Sequence, residues 1–115
     1  MKNRILAVNT PDEVGKNITV AGWVHSRRDH GGLIFIDLRD HTGLVQLVIN
    51  PEQAEAFRLA ESLRDEFVIC ASGVVMERGE GLKNPNIASG NVEIVVENLE
   101  ILNRAETLQI GRAHV

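Results

Sequence analysis

Aromatic residues are scarce in this chain: no tyrosine, one tryptophan and three phenylalanines in 115 residues. Trp23, Phe35, Phe57 and Phe67 are the whole set, so each is informative about packing or binding. Cysteine is scarcer still. Cys70 stands alone inside an apolar run, which excludes an intrachain disulfide and a Cys-based zinc cluster and leaves a buried, reduced thiol as the expectation. No apolar run approaches the ~20 residues of a membrane-spanning helix. The N-terminal MKNRILAVNTPDEVGKN lacks the apolar core and small-residue cleavage site of a secretory signal. A cytoplasmic chain with no membrane partner is therefore expected. Positive charge is also short, with 12 Lys and Arg against 16 Asp and Glu, for a net charge of -4. A non-specific nucleic-acid coat neutralises many phosphates with Lys and Arg, so this balance excludes one. Any nucleic-acid site must be local.

Catalytic signatures are missing as well. The sequence carries no Gly-rich phosphate loop, nucleophile elbow or metal-spaced histidine cluster, and His25, His30, His41 and His114 are scattered. No catalytic residue, metal ligand or bound cofactor is assigned.

What is present fits one soluble domain, with 43% hydrophobic and 24% charged residues. Residues 1–17 form a polar lead-in expected to pack loosely over one end of the fold. Within it, Thr10-Pro11-Asp12-Glu13 reads as a helical turn with Thr10 as N-cap and Glu13 completing a capping box. Strand patterns follow at about 18–29, 33–39 and 43–49, with Gly22 marking a bulge or bend that lets the first strand serve two sheets. His41-Thr42-Gly43 supplies a hairpin turn. Asn50, Pro51 and Gln53 read as N-cap, first helical position and capping-box partner of a helix. Ala56, Leu59, Ala60 and Leu63 form its apolar stripe, and Glu55, Arg58, Glu61 and Arg64 its solvent face. FVICASGVVMER, with a bend at Gly73, and NVEIVVENLEIL read as two more strands. The loop GEGLKNPNIASG joins them and is too long and too rich in Gly, Asn and Pro for a tight hairpin.

Three strands, a helix and two further strands, with no βαβ alternation, predict an all-β fold with one helix. The expected architecture is an OB-fold, a five-stranded Greek-key barrel with the helix between strands three and four. The expected organisation is a lead-in at 1–17, the barrel at 18–104 and a linker start plus tail at 105–115. In such barrels strands two and three and the flanking loops bind oligonucleotides.

The residues on those strands suit that use. In LIFIDLR, Ile34, Ile36 and Leu38 share one face, while Leu33, Phe35, Asp37 and Arg39 share the other. In LVQLVI, Val45, Leu47 and Ile49 form the apolar set, leaving Gln46 opposite, within reach of Phe35 across a tight hairpin. Arg27 and Arg28 precede a Gly31-Gly32 turn that returns them toward the same surface. An aromatic plate, an amide and guanidinium groups suit an unstacked base, because the ring offers its π-face, the amide reads a base edge and Arg holds phosphate or stacks. The same pattern admits a plainer reading, since small barrels can bury both faces of a strand. Phe35 would then be core, and Gln46 and the arginines solvated positions.

Over GWVHSRRDHGGLIFIDLRDHTGLVQLV, and more broadly from about Gly15 to Glu106, the sequence resembles the N-terminal anticodon-binding domain of bacterial aspartyl-tRNA synthetases. The RRDHGG turn, the IFIDLRD strand and the GLVQLV strand carry the likeness. The resemblance implies that Phe35 stacks on an anticodon base, Gln46 reads a base edge and Arg28 lies beside them. It further implies that Glu93 hydrogen-bonds the first anticodon base and that Arg78 supports the loop after strand four. Without the resemblance Glu93 reads as a solvated strand charge. The partner implied is a tRNA anticodon loop. The class II catalytic domain that uses ATP and magnesium to attach aspartate, usually in a homodimer, has no counterpart here, so the chain alone is expected to be inactive. The alternative is a free-standing OB-fold single-strand binder.

Three departures matter. Met76 stands where many relatives have a second Arg. His30 and Gly81 replace the Leu and Lys of forms strict for the aspartate tRNA, a pattern similar to relaxed synthetases that also charge the asparagine tRNA. IGRAHV at 110–115 leaves the family pattern and matches one reading frame of a common sequencing adapter, so an artefactual end to a truncated frame is expected.

Overall fold

The computed structural model describes residues 4–78 and 90–103. Five strands, β1 (Asn17–His30), β2 (Leu33–Asp40), β3 (Gly43–Ile49), β4 (Val68–Glu77) and β5 (Val92–Asn103), close into a barrel in the order β1-β2-β3-β5-β4. All neighbours are antiparallel except β3 and β5. This is the expected Greek-key barrel, with helix α1 (Ala54–Glu61) between β3 and β4.

Alternation builds the core. Ile34, Ile36 and Leu38 of β2 and Val45, Leu47 and Ile49 of β3 all point inward and are buried, meeting Val20, Val24, Ile69, Val75, Ile94 and Val96. Each such side chain contributes roughly 1.5–3 kcal/mol by leaving water. The expected stripe plugs the barrel: Ala56 and Ala60 of α1 and Leu63 just past its end are buried, and Leu59 packs beside them. Glu55, Arg58, Glu61 and Arg64 are exposed. Cys70 is buried, and burial pushes its thiol pKa up.

β1 serves two partners, as its glycine suggested. Asn17 to Trp23 pairs with β4 and Trp23 to His30 with β2. Gly22 sits at the crossover, where a Cβ would fall against the Arg39 carbonyl of β2. The bulge itself lies at His25, between the Val24 and Ser26 pairings. Gly73 plays the same part opposite the Val95 carbonyl of β5, next to a register shift.

Two local expectations are corrected. α1 begins at Ala54 and not at Pro51. Asn50 Oδ1 accepts the Glu52 N–H at 3.1 Å and the Asn50 carbonyl accepts the Gln53 N–H at 2.9 Å. Asn50 thus closes a turn before the helix, a use that competes with capping. At the other end, the described part of the lead-in, from residue 4 on, is held to the barrel rather than packed loosely. A 3-10 helix spans Ala7–Glu13, with Ala7 and Thr10 buried, and the Thr10 hydroxyl donates back to the Ala7 carbonyl at 2.8 Å without capping.

Asp40 at the end of β2 fixes this segment. Its carboxylate accepts the Ala7 N–H at 2.8 Å, the Thr42 N–H at 2.8 Å and the Thr42 hydroxyl at 2.6 Å. Burial raises the Asp40 pKa, but these bonds outweigh burial and hold it below its ordinary 3.8. A carboxyl with a lowered folded pKa stabilises the fold above its unfolded value, and that contribution is lost as pH falls from about 3.8 through the lower folded pKa. Urea unfolding across that range should therefore show a steeper acid loss of stability in the native chain than in Asp40→Asn. Identical pH profiles would contradict the role given to Asp40.

Candidate nucleic-acid interface

The outward faces of β1, β2, β3 and β5 meet in a cleft of ≈ 550 Å³ lined by Arg28, His30, Phe35, Gln46, Arg78 and Glu93. These are the residues singled out in the sequence, save Gly81, which lies outside the described residues. Pairing explains how they meet. Arg28 stands directly opposite Phe35 across β1 and β2, and Gln46 directly beside Glu93 across the parallel β3–β5 pair. Phe35 faces Val48 and Gln46 faces Asp37, so Phe35 and Gln46 are diagonal neighbours and not a direct pair. Phe35 is half-buried, with its ring on the cleft wall and not in the core.

A run of hydrogen bonds crosses the floor. Arg28 Nη2 donates to Gln46 Oε1 at 3.0 Å, and Gln46 Nε2 donates to Glu93 Oε1 at 3.0 Å. These partners allow Gln46 to be 9% exposed on the outward side of a strand. Arg28 is itself held by Asp37, with Nη1 to Oδ2 at 2.7 Å, and Asp37 Oδ2 also accepts the Ser26 hydroxyl at 2.8 Å. Burial raises the Asp37 pKa. Hydrogen bonds from Arg28 and Ser26 and the charges of Arg28 and Arg78 prevail over burial, so the group titrates below its ordinary value.

Arg78 follows β4 and is anchored by backbone: its N–H donates to the Asn91 carbonyl at 2.9 Å and its Nε to the Val92 carbonyl at 3.1 Å. Burial lowers its pKa, opposed by Glu93 and Asp37; a guanidinium stays charged under these conditions. Met76 pairs with Glu93 across β4 and β5 and is exposed at the rim, where it adds no charge.

Arg27 does not join the site. Its Nη1 donates to the Ala60 and Glu61 carbonyls at 3.1 and 2.6 Å, capping the C-terminus of α1. Adjacent residues on a strand point to opposite faces, so only one arginine of the pair could reach the cleft. Ser26 and Asp37 are the members that sequence reasoning missed. The signal for Asp37 was its place on the Phe35 face of LIFIDLR.

The chemistry on offer is an aromatic plate, two cations, an amide held in one orientation and a carboxylate, which together suit stacking and edge recognition of unpaired bases. A hollow of ≈ 630 Å³ between α1 and β5 is larger, but it is lined by Glu55, Arg58 and Glu97 among others and has no aromatic ring. Among the described residues no group of three or more His, Cys, Asp or Glu could hold a metal, and no helix is long and apolar enough to cross a membrane.

Residues 18–102 match the tRNA anti-codon family model, described as an OB-fold nucleic acid binding domain. The chain is 60% identical over 93 residues to an aspartate–tRNA(Asp/Asn) ligase of Chlorobium phaeobacteroides, a match covering 81% of this chain and 15% of that protein. It is 52% identical over 98 residues to an aspartate–tRNA(Asp/Asn) ligase of Moorella thermoacetica, covering 85% and 16% respectively. The chain thus spans about a sixth of the length of these curated relatives. The fold is similar to that of the asparaginyl-tRNA synthetase of Pyrococcus horikoshii, solved with asparaginyl-adenylate, with a TM-score of 0.76 and 29% identity over 91% of this chain and 23% of that one.

Proposed function

We propose that this chain, which belongs to the tRNA anticodon-binding family of OB-fold domains, reads the anticodon of the aspartate tRNA on behalf of an aspartate–tRNA ligase in translation. The observation that supports this most is the convergence of Arg28, Phe35, Gln46, Arg78 and Glu93 on one cleft. In this reading Phe35 stacks on one base, Gln46 and Glu93 meet base edges, and Arg28 and Arg78 balance phosphate charge near an otherwise acidic surface. A few stacked and hydrogen-bonded bases supply the affinity, at about 1–3 kcal/mol for each stacked base, so a net negative domain is no obstacle.

The full-length ligase would carry the ATP and magnesium chemistry in its class II domain, act as a homodimer and work in the cytoplasm. His30, at the cleft edge, favours a relaxed enzyme that serves the asparagine tRNA as well, in keeping with the names of both curated relatives. Gly81 lies outside the described residues.

Binding of the chain to anticodon stem-loops bearing the aspartate, the asparagine and an unrelated triplet tests this. Comparable affinity for the first two, with at least about tenfold weaker binding of the third, about 1.4 kcal/mol, is expected. Indifference to the triplet, with a steep salt dependence, would instead favour a general single-strand binder.

A further inference from the structure

We propose that Asp37 is a positioning residue for base recognition, holding Arg28 so that the whole row from Ser26 to Glu93 presents one fixed donor and acceptor pattern to the RNA. This rests on the anticodon-reading assignment above.

The geometry is directional at every junction. The Ser26 hydroxyl donates to Asp37 Oδ2 at 2.8 Å, Arg28 Nη1 donates to the same oxygen at 2.7 Å, and Arg28 Nη2 reaches Asp37 Oδ1 at 3.4 Å. Arg28 is a donor only, so the atom of Gln46 it meets must be the amide oxygen, at 3.0 Å. The amide nitrogen is thereby aimed at Glu93 Oε1, at 3.0 Å. Turning the amide over would set Nε2 against the guanidinium and Oε1 against the carboxylate, which opposes like with like at both contacts. One Nε2 hydrogen, one Oε1 lone pair and the second Glu93 oxygen then remain to meet a base edge, in an order fixed by Asp37 through Arg28.

Glu93 has a base edge to meet in this reading, but a second carboxylate, Asp37, on the same face is otherwise unexpected. Asp37 side-chain exposure is 24%, and as a bystander it would repel phosphate. The two roles therefore predict opposite signs. If Asp37 only repels, Asp37→Asn tightens binding of every loop. If Asp37 positions Arg28, Asp37→Asn weakens binding of the aspartate loop by roughly tenfold, the scale of a charge-assisted hydrogen bond, and narrows discrimination against base-substituted loops.

The experiment is a double-mutant cycle in the full chain, with Asp37→Asn, Arg28→Ala and the pair, titrated with the aspartate anticodon stem-loop and with loops altered at single anticodon positions. Thermal unfolding of each variant provides the control for folding. Positioning predicts that the weakening by Asp37→Asn disappears once Arg28 is alanine, because that influence passes through the Arg28 side chain; what remains is no change or, with the phosphate-repelling charge gone, a gain. Additive losses in the pair, tighter binding by Asp37→Asn in the native background, or weaker binding there with unchanged discrimination would each overturn the inference. A native chain that fails to discriminate among the loops would instead overturn the anticodon reading on which the inference rests.

Discussion

Replacing Phe35 by alanine is expected to weaken binding of the aspartate anticodon loop by about 1–3 kcal/mol while leaving the fold nearly as stable as before. The ring lines the cleft and is half-buried on the outward face of β2, whereas Ile34 and Ile36 on either side carry the core contacts. Its truncation removes a stacking surface and opens no interior cavity. Phe35→Leu separates the π-face from simple apolar cover, and it should recover stability fully and binding only in part. Titration of the three chains with a labelled stem-loop, beside their urea midpoints, decides the matter. Unchanged affinity in Phe35→Ala would remove Phe35 from the site and leave it as a half-buried apolar residue on the outer face of the barrel.

The second large effect is the reverse. Phe67→Ala should cost about 3–5 kcal/mol of folding stability, the usual range for a fully buried ring. Phe67 is 2% exposed and sits where the chain turns from α1 into β4. Its carbonyl accepts the Val24 N–H at 2.8 Å, and the preceding Glu66, with φ 75°, donates its N–H to the Val24 carbonyl at 2.8 Å. The ring anchors a clasp between β1 and β4 that includes a backbone conformation unusual for glutamate. Against a total stability of about 5–15 kcal/mol, this loss is large, and it should lower the melting temperature by at least about 12 °C. Trp23, the lone tryptophan, provides a fluorescence probe on β1. A native unfolding midpoint in Phe67→Ala would mean that the clasp holds without its ring. The two phenylalanines thus divide the work: one is expected to change binding, the other folding.

Much of this was legible in the chain itself. Alternation in LIFIDLR and LVQLVI determined which residues enter the core, because neighbouring side chains on a strand must point to opposite faces whatever the surrounding fold. Order and length of the elements determined the barrel, and the glycines at 22 and 73 marked where strands cross too closely for a Cβ. The local pattern also put Phe35, Asp37 and Gln46 on outward faces, and the family resemblance supplied Glu93.

Tertiary structure decided the rest, because the rest depends on groups far apart in sequence. Whether Asn50 caps a helix or closes a turn is a competition between two local hydrogen-bond patterns that sequence spacing alone does not rank. Sequence spacing predicts a loosely packed lead-in; what holds it is Asp40, 33 residues from Ala7, which accepts the Ala7 backbone N–H. Arg27 and Arg28 are neighbours of identical chemistry, yet one caps α1 and the other enters the cleft, because the face each occupies follows from pairing across β2 and the bulge at His25. Glu93 meets Gln46 only because β3 and β5 run parallel and close the barrel, bringing together residues 47 apart. Strand periodicity determines faces, since it is a property of the chain; register determines partners, since it is a property of the closed sheet.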